Sequence, residues 1–139
     1  MTEEPGVFME KIFELTAESE RLAAFRETLR LVLEGTGLTE KAVGEVILAV
    51  DEALTNVVRH SYGGGPGKIE VRFRDRADRV EITVRDFGKP FDPSQVPLPD
   101  LPPKKAGGLG VYFMKTLMDK VECDAKISKG NLLTLTKYK

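Results

Sequence analysis

Glu52, Asn56 and Arg59 stand at i, i+4 and i+7 in the stretch "EALTNVVRHSY" (52–62). On a helix turning about 100° per residue they fall within roughly a 60° arc, largely away from the apolar stripe. A carboxylate, an amide oxygen and a guanidinium so grouped can serve a metal–phosphate centre. Asn offers a neutral oxygen to magnesium, Arg pairs with phosphate, and Glu can take a proton from a hydroxyl or water. The same spacing also describes a solvated helix face with an i, i+7 ion pair. Asp86 is a second candidate. It follows Val80, Ile82 and Val84 at alternate positions, so it continues the apolar row of a strand. A carboxylate buried there needs a hydrogen-bond donor; alternatively Asp86 starts a turn and bonds its own backbone. Gly88 leaves room for something to come close to the backbone. A third candidate is Gly108-Leu109-Gly110 at the start of a predicted helix. Free N–H groups and the helix dipole can hold phosphate there, although many glycine clusters only end a loop.

Two motifs mislead. Asp86-Phe87-Gly88 spells the metal-binding triplet of a protein kinase, but the catalytic loop that must precede it is absent, since the single histidine, His60, is followed by Ser61-Tyr62. "GGGPGKIE" resembles a phosphate-binding P-loop, yet position 62 is Tyr where that motif needs Gly, and Ile69 follows Lys68 where it needs Ser or Thr. His60 reads as a capping or packing residue rather than a phospho-acceptor or metal ligand. Cys123 alternates with Val121 and Ala125, the pattern of an inert core thiol.

These residues need elements to position them. "VFMEKIFEL" (7–15) predicts a strand ended by Thr16, and residues 17–34 a helix closed by Gly35 and Gly37. Thr39 is placed to cap a second helix running to about His60, with Val43, Val46, Ile47, Val50, Leu54, Val57 and Val58 as its buried face. "IEVRFR" (69–74) and "VEITVR" (80–85) alternate as half-buried strands joined by the five residues "DRADR". Six of the chain's eight prolines fall in the aperiodic segment that follows, as in a functional lid. A third helix is expected over about 109–120, burying Val111, Met114, Leu117, Met118 and Val121. A final strand pair, "VECDAKI" and "LLTLTKY", is joined by "SKGN".

At 139 residues the chain suits one domain with one core. A net charge of −1 argues against nucleic-acid binding, and no patterned basic run suggests a membrane surface. The acidic N-terminus is unlike a signal peptide, and no stretch reaches the roughly 20 apolar residues of a membrane span. A lone cysteine permits no intrachain disulfide, so a cytoplasmic location is the default expectation.

The order of the motifs is more specific than any one of them. "EALTNVVRHSY", "RDFGKPFDP" (85–93), "GGLGVYFMKTLMDKVE" (107–122) and the ending "GNLLTLTK" together resemble the RsbW/SpoIIAB-like anti-sigma serine kinases of the GHKL superfamily, over nearly the whole chain. The resemblance implies an α+β fold: a two-layer sandwich of the GHKL (Bergerat) ATP-binding type, with a mixed sheet of about five strands covered on one face by three helices. It implies a single domain, 1–139, with an ATP lid at about 89–107. Glu52 would be the general base, Asn56 the Mg2+ ligand and Asp86 the acceptor of the adenine amino group. Gly88 would make space for the base, and Gly108, Leu109 and Gly110 would meet the phosphates. Arg59 matches a phosphate-contacting position of many histidine kinases. Two departures stand out: Gly88-Lys89-Pro90 lacks a second glycine, and Asn131 replaces the threonine that many relatives place near adenine. The implied activity is ATP-dependent phosphorylation of a serine on an anti-sigma factor antagonist, coupled to sequestration of a sigma factor by a homodimer, with Arg26 in a plausible partner-contacting position. The alternatives are an ATP-gated binding module without catalysis and a histidine-kinase-type ATPase domain acting on a partner chain.

Overall fold

The computed structural model describes residues 6–92, 109–124, 127 and 129–139, without the side chains of 109–112. Strand β1 (Val7–Thr16) leads into helix α1 (Ser19–Glu34) and helix α2 (Glu40–Asn56), which runs on as a π-helical turn, Val57–Ser61. Strands β2 (Lys68–Arg76) and β3 (Arg79–Asp86) follow, then helix α3 (Leu109–Leu117), β4 (Lys120–Cys123) and β5 (Asn131–Tyr138).

The five strands form one sheet in the order β1-β2-β3-β5-β4. The expected mixed sheet is instead antiparallel at each of its four pairings. Connectivity explains the difference. Two helices separate β1 from β2, so the chain crosses the sheet an even number of times and returns antiparallel. The β3–α3–β4 crossover would give a parallel pair, but β5 lies between those strands and runs antiparallel to both.

All three helices lie on one face of the sheet, and the core sits between the layers. Ile69, Val71 and Phe73 of β2, Val80, Ile82 and Val84 of β3, and Leu133 and Leu135 of β5 form its floor. Leu22, Phe25, Leu29 and Leu33 of α1, the Val43–Leu54 stripe of α2, and Met114 and Met118 at α3 form its roof. Thr39 caps α2 as expected, its hydroxyl accepting from the Ala42 N–H at 3.1 Å.

Three boundaries differ from the sequence expectation. The β2–β3 connection is the two residues Ala77 and Asp78 rather than five, because both strands run on to Arg76 and from Arg79. Asp75 looks like a loop residue in sequence, yet it is buried opposite Val80 and accepts an ion pair from Lys139 Nζ at 2.7 Å. Helix α3 ends at Leu117, and β4 ends at Cys123 instead of continuing through Ile127. Val111 lies where no side chain is described. Among the described residues no helix is long and apolar enough to cross a membrane.

Candidate functional site

The site is built where the C-terminal end of α2 meets the ends of β3 and β5. Past Asn56 the helix widens: the Tyr62 N–H reaches back to the Val57 carbonyl at 3.1 Å, the five-residue span of a π-turn. Such turns often occur at functional sites. This one buries Ser61 and aims its hydroxyl at the end of β3.

Asp86 is 1% exposed and continues the row Val80, Ile82, Val84 into the core, as its alternation predicts. It stands directly opposite Asn131 in the β3–β5 ladder. Oδ1 accepts from the Ser61 hydroxyl, from the Gly88 N–H at 3.1 Å and from Asn131 Nδ2 at 3.0 Å. Oδ2 is equally enclosed and has no partner. A buried acceptor without a donor costs about 1–3 kcal/mol, so this oxygen is suited to a ligand that brings an N–H. The alternative that Asp86 merely starts a turn accounts for its Gly88 bond but not for the bare oxygen.

Asn131 does more than replace a threonine. Its Nδ2 also donates to the Lys89 carbonyl, and its Oδ1 accepts from the Phe91 N–H, both at 3.0 Å. The amide therefore joins the acceptor carboxylate to the first residues of the Pro-rich segment. Residues 93–108, including Gly108 and most of the expected lid, lie outside the described residues, while Leu109 and Gly110 begin α3.

Gly88 leaves room for a close approach to the backbone, as its type suggests, and Ser61 makes that approach. The space it leaves is filled by the protein itself, since a Cβ there would collide with the Ser61 hydroxyl and carbonyl. Its smallness lets β3 close onto the π-turn, with the Lys89 N–H bonding the Ser61 carbonyl at 2.8 Å. Gly130 works the same way on the other side, with φ +75° and a Cβ position that falls on the Asp86 carbonyl.

Glu52 and Arg59 lie near Asn56, but the three do not share a solvated face. Asn56 is 3% exposed, and its Nδ2 has no hydrogen-bond partner. Glu52 is half-buried and Arg59 exposed. Desolvation pushes the Glu52 carboxyl above its ordinary range; the Arg59 charge and then the adjacent Asn56 amide oppose the rise, and Asp51 adds to it. Asp51 is held at 2.8 Å by Arg26, so the arginine expected to meet a partner is engaged within the chain. Desolvation, then Arg59, holds the His60 imidazole below its usual range, and its ring lies 5.7 Å from that of Phe91, which is the expected packing role.

A cavity of about 570 Å³ opens beside this network. Asp86 and Asn131 are among its polar lining, and Val57, Val84 and Leu133 form apolar walls. Glu52, Asn56 and Arg59 are not among the lining; Glu52 and Asn56 precede Val57 on α2, and Arg59 follows it in the π-turn. Cys123 does line it and is exposed, against the expectation of a core thiol. Its strand face was read correctly, since Val121 packs on the core, but β4 is the sheet edge and the covering stops short of it. Sequence reasoning missed Ser61 and Tyr62. The Tyr62 hydroxyl accepts from the Phe87 N–H at 2.9 Å and its ring lies against Gly67. Both end the stretch "EALTNVVRHSY", but nothing in it gives them a role, because their placement follows from the π-turn.

The fold is an α+β domain with a cavity between helices and sheet, lined in part by a buried and under-bonded carboxylate. The chain belongs to the histidine kinase-like ATPase domain family, which its residues 15–137 match. It is 35% identical over 133 residues to the serine-protein kinase RsbW of Bacillus velezensis, covering 89% of this chain and 82% of that protein. It is 37% identical over 136 residues to the same-named kinase of Bacillus pumilus, with the same coverage. Identity to that of Bacillus subtilis strain 168 is 34% over 131 residues, with 88% and 81% covered. The crystal structure of the RsbU and RsbW domains of a Mycobacterium tuberculosis protein superposes with a TM-score of 0.65 at 20% identity, covering 93% of this chain and 32% of that one. That likeness shows the fold.

Proposed function

We propose that this chain is an ATP-dependent serine protein kinase that phosphorylates an anti-sigma factor antagonist and, as an anti-sigma factor, binds a sigma factor. The observation that carries the nucleotide half is Asp86, which lines the cavity and keeps a buried Oδ2 without a partner. The adenine amino group is a donor of the kind it lacks, and Val57, Val84 and Leu133 supply apolar surface for the ring. ATP supplies the phosphoryl group. Glu52 takes the proton of the attacking serine hydroxyl, and its raised pKa brings it nearer the operating pH of a general base.

Asn56 would hold Mg2+. A single amide suits an ion carried mainly by nucleotide phosphates and water. Among the described residues no three His, Cys, Asp or Glu side chains gather to hold a metal on their own. Arg59, exposed three residues further on, would meet phosphate charge. Gly108, Leu109 and Gly110 would offer backbone N–H groups to the phosphates at the start of α3, and 89–107 would close as a lid over one domain spanning 1–139. The protein would act in the cytoplasm as a homodimer. The relatives' name, serine-protein kinase, supports the reaction class.

The test is phosphoryl transfer from γ-labelled ATP to the antagonist protein encoded nearest this gene, by wild type and by Glu52→Ala, with ATP affinity measured in parallel. Wild type should label a serine, while Glu52→Ala binds ATP and loses transfer by the ~10²–10⁴-fold of a missing general base. Tight ATP binding without any labelling would leave a nucleotide-gated binder and remove the kinase.

A further inference from the structure

Cys123 pairs with Leu133 across the β4–β5 ladder, so its side chain emerges on the sheet face that floors the cavity. Val121, two residues earlier, is packed against the core, whereas Cys123 is exposed and lines the cavity. The same cavity holds an independent sign of a ligand, the Asp86 carboxylate, 1% exposed with Oδ2 unpartnered. A thiol and an adenine-seeking carboxylate thus share one space of about 570 Å³.

We propose that Cys123 is a thiol-modification site inside the nucleotide cavity, where a mixed disulfide with a low-molecular-weight thiol and a bound nucleotide exclude each other. The inference rests on the nucleotide reading of the cavity. The Cys123 thiolate attacks one sulfur of a small disulfide, the new S–S bond forms on Cys123, and the other half leaves as a thiolate that takes up a proton. Cys123 sulfur is oxidised and the leaving sulfur is reduced, so the exchange balances without another oxidant. Desolvation pushes the Cys123 thiol up, the Asp92 charge adds to the rise, and Lys115 opposes it. Little thiolate is present at neutral pH, so modification is slow there and quickens as pH rises. An oxidised thiol pool would then empty the cavity, and a reducing agent would restore it.

The chain has one cysteine, so adducts on this 139-residue chain are unambiguous by intact mass. Two measurements are made at pH 8.5: the rate of iodoacetamide alkylation with and without ATP, and ATP affinity before and after reaction with oxidised glutathione. ATP at ten times its Kd should slow alkylation about tenfold, as simple competition requires. The glutathione adduct should weaken ATP binding at least tenfold, with recovery on adding dithiothreitol. The ATP affinity of Cys123→Ser, whatever its value, should not respond to oxidised glutathione. Unchanged ATP affinity after complete modification would overturn the inference, as would alkylation indifferent to ATP or a thiol that no reagent reaches. Failure of the reduced, unmodified protein to bind ATP would instead sink the nucleotide reading, and this inference with it.

Discussion

Asp86 loads three donors onto Oδ1 and leaves Oδ2 bare, and that asymmetry predicts how substitutions divide between stability and binding. Asp86→Asn can keep an oxygen toward Ser61, Gly88 and Asn131, but it turns an NH2 toward the adenine amino group. ATP affinity should fall about 10- to 100-fold, the worth of a hydrogen bond to a charged group, as measured by calorimetry on a variant whose melting stays cooperative. Equal ATP affinity in the variant would remove Asp86 from base recognition. Glu52 makes a pH prediction. As a base it works only when deprotonated, and its pKa is raised from 4.5 chiefly by desolvation. kcat/KM should therefore fall on the acid side with a midpoint above 4.5. Arg59 lowers this pKa, so Arg59→Gln should move the acid limb to higher pH. A limb that stays put or moves lower would refute that coupling.

At the scale of elements, the site depends on three chain segments meeting without side chains between them. Gly130 holds φ +75°, and a Cβ there would fall on the Asp86 carbonyl. Gly130→Ala combines about 1–2 kcal/mol of left-handed strain with that collision, so a loss of roughly 2 kcal/mol or more is expected in a denaturant titration. An unchanged midpoint would mean that β5 enters differently. Gly88→Ala should push the Lys89 N–H off the Ser61 carbonyl and weaken ATP binding together with stability. Much of this layer was legible. Thr39 as the cap of α2, the β2 and β3 alternation and the inward Asp86 all follow from local periodicity. The π-turn was not legible, because "NVVRHSY" continues a helical apolar pattern and no residue in it forbids an i→i+4 bond. Asn56 was placed on an outward arc for the same reason. Its burial comes from the packing of the layers around the end of α2, which no single-helix projection contains.

For the whole molecule, ligand binding and folding are one linked equilibrium. ATP at one hundred times its Kd should stabilise the chain by about 2.7 kcal/mol, seen as a rise in melting temperature that Asp86→Asn largely loses at the same concentration. No shift at saturating Mg-ATP would contradict a site formed in the native state. The homodimer is a separate matter, checked by light scattering on the eluting protein: a mass of one chain at micromolar concentration would dismiss it.

By itself the sequence determined the kinds of element and their order, and it singled out Glu52, Asn56 and Asp86 as candidates, because helical and strand periods and motif order are local properties of the chain. Only the tertiary structure decided that the sheet is antiparallel throughout, since β5 enters between β3 and β4. It alone showed that Gly88 makes room for Ser61 and that Asn131 joins Asp86 to Lys89 and Phe91. It also turned Cys123 from a core position to a cavity wall. These features depend on contacts between separate segments of the chain, fixed by strand register and layer packing, and no local period encodes them.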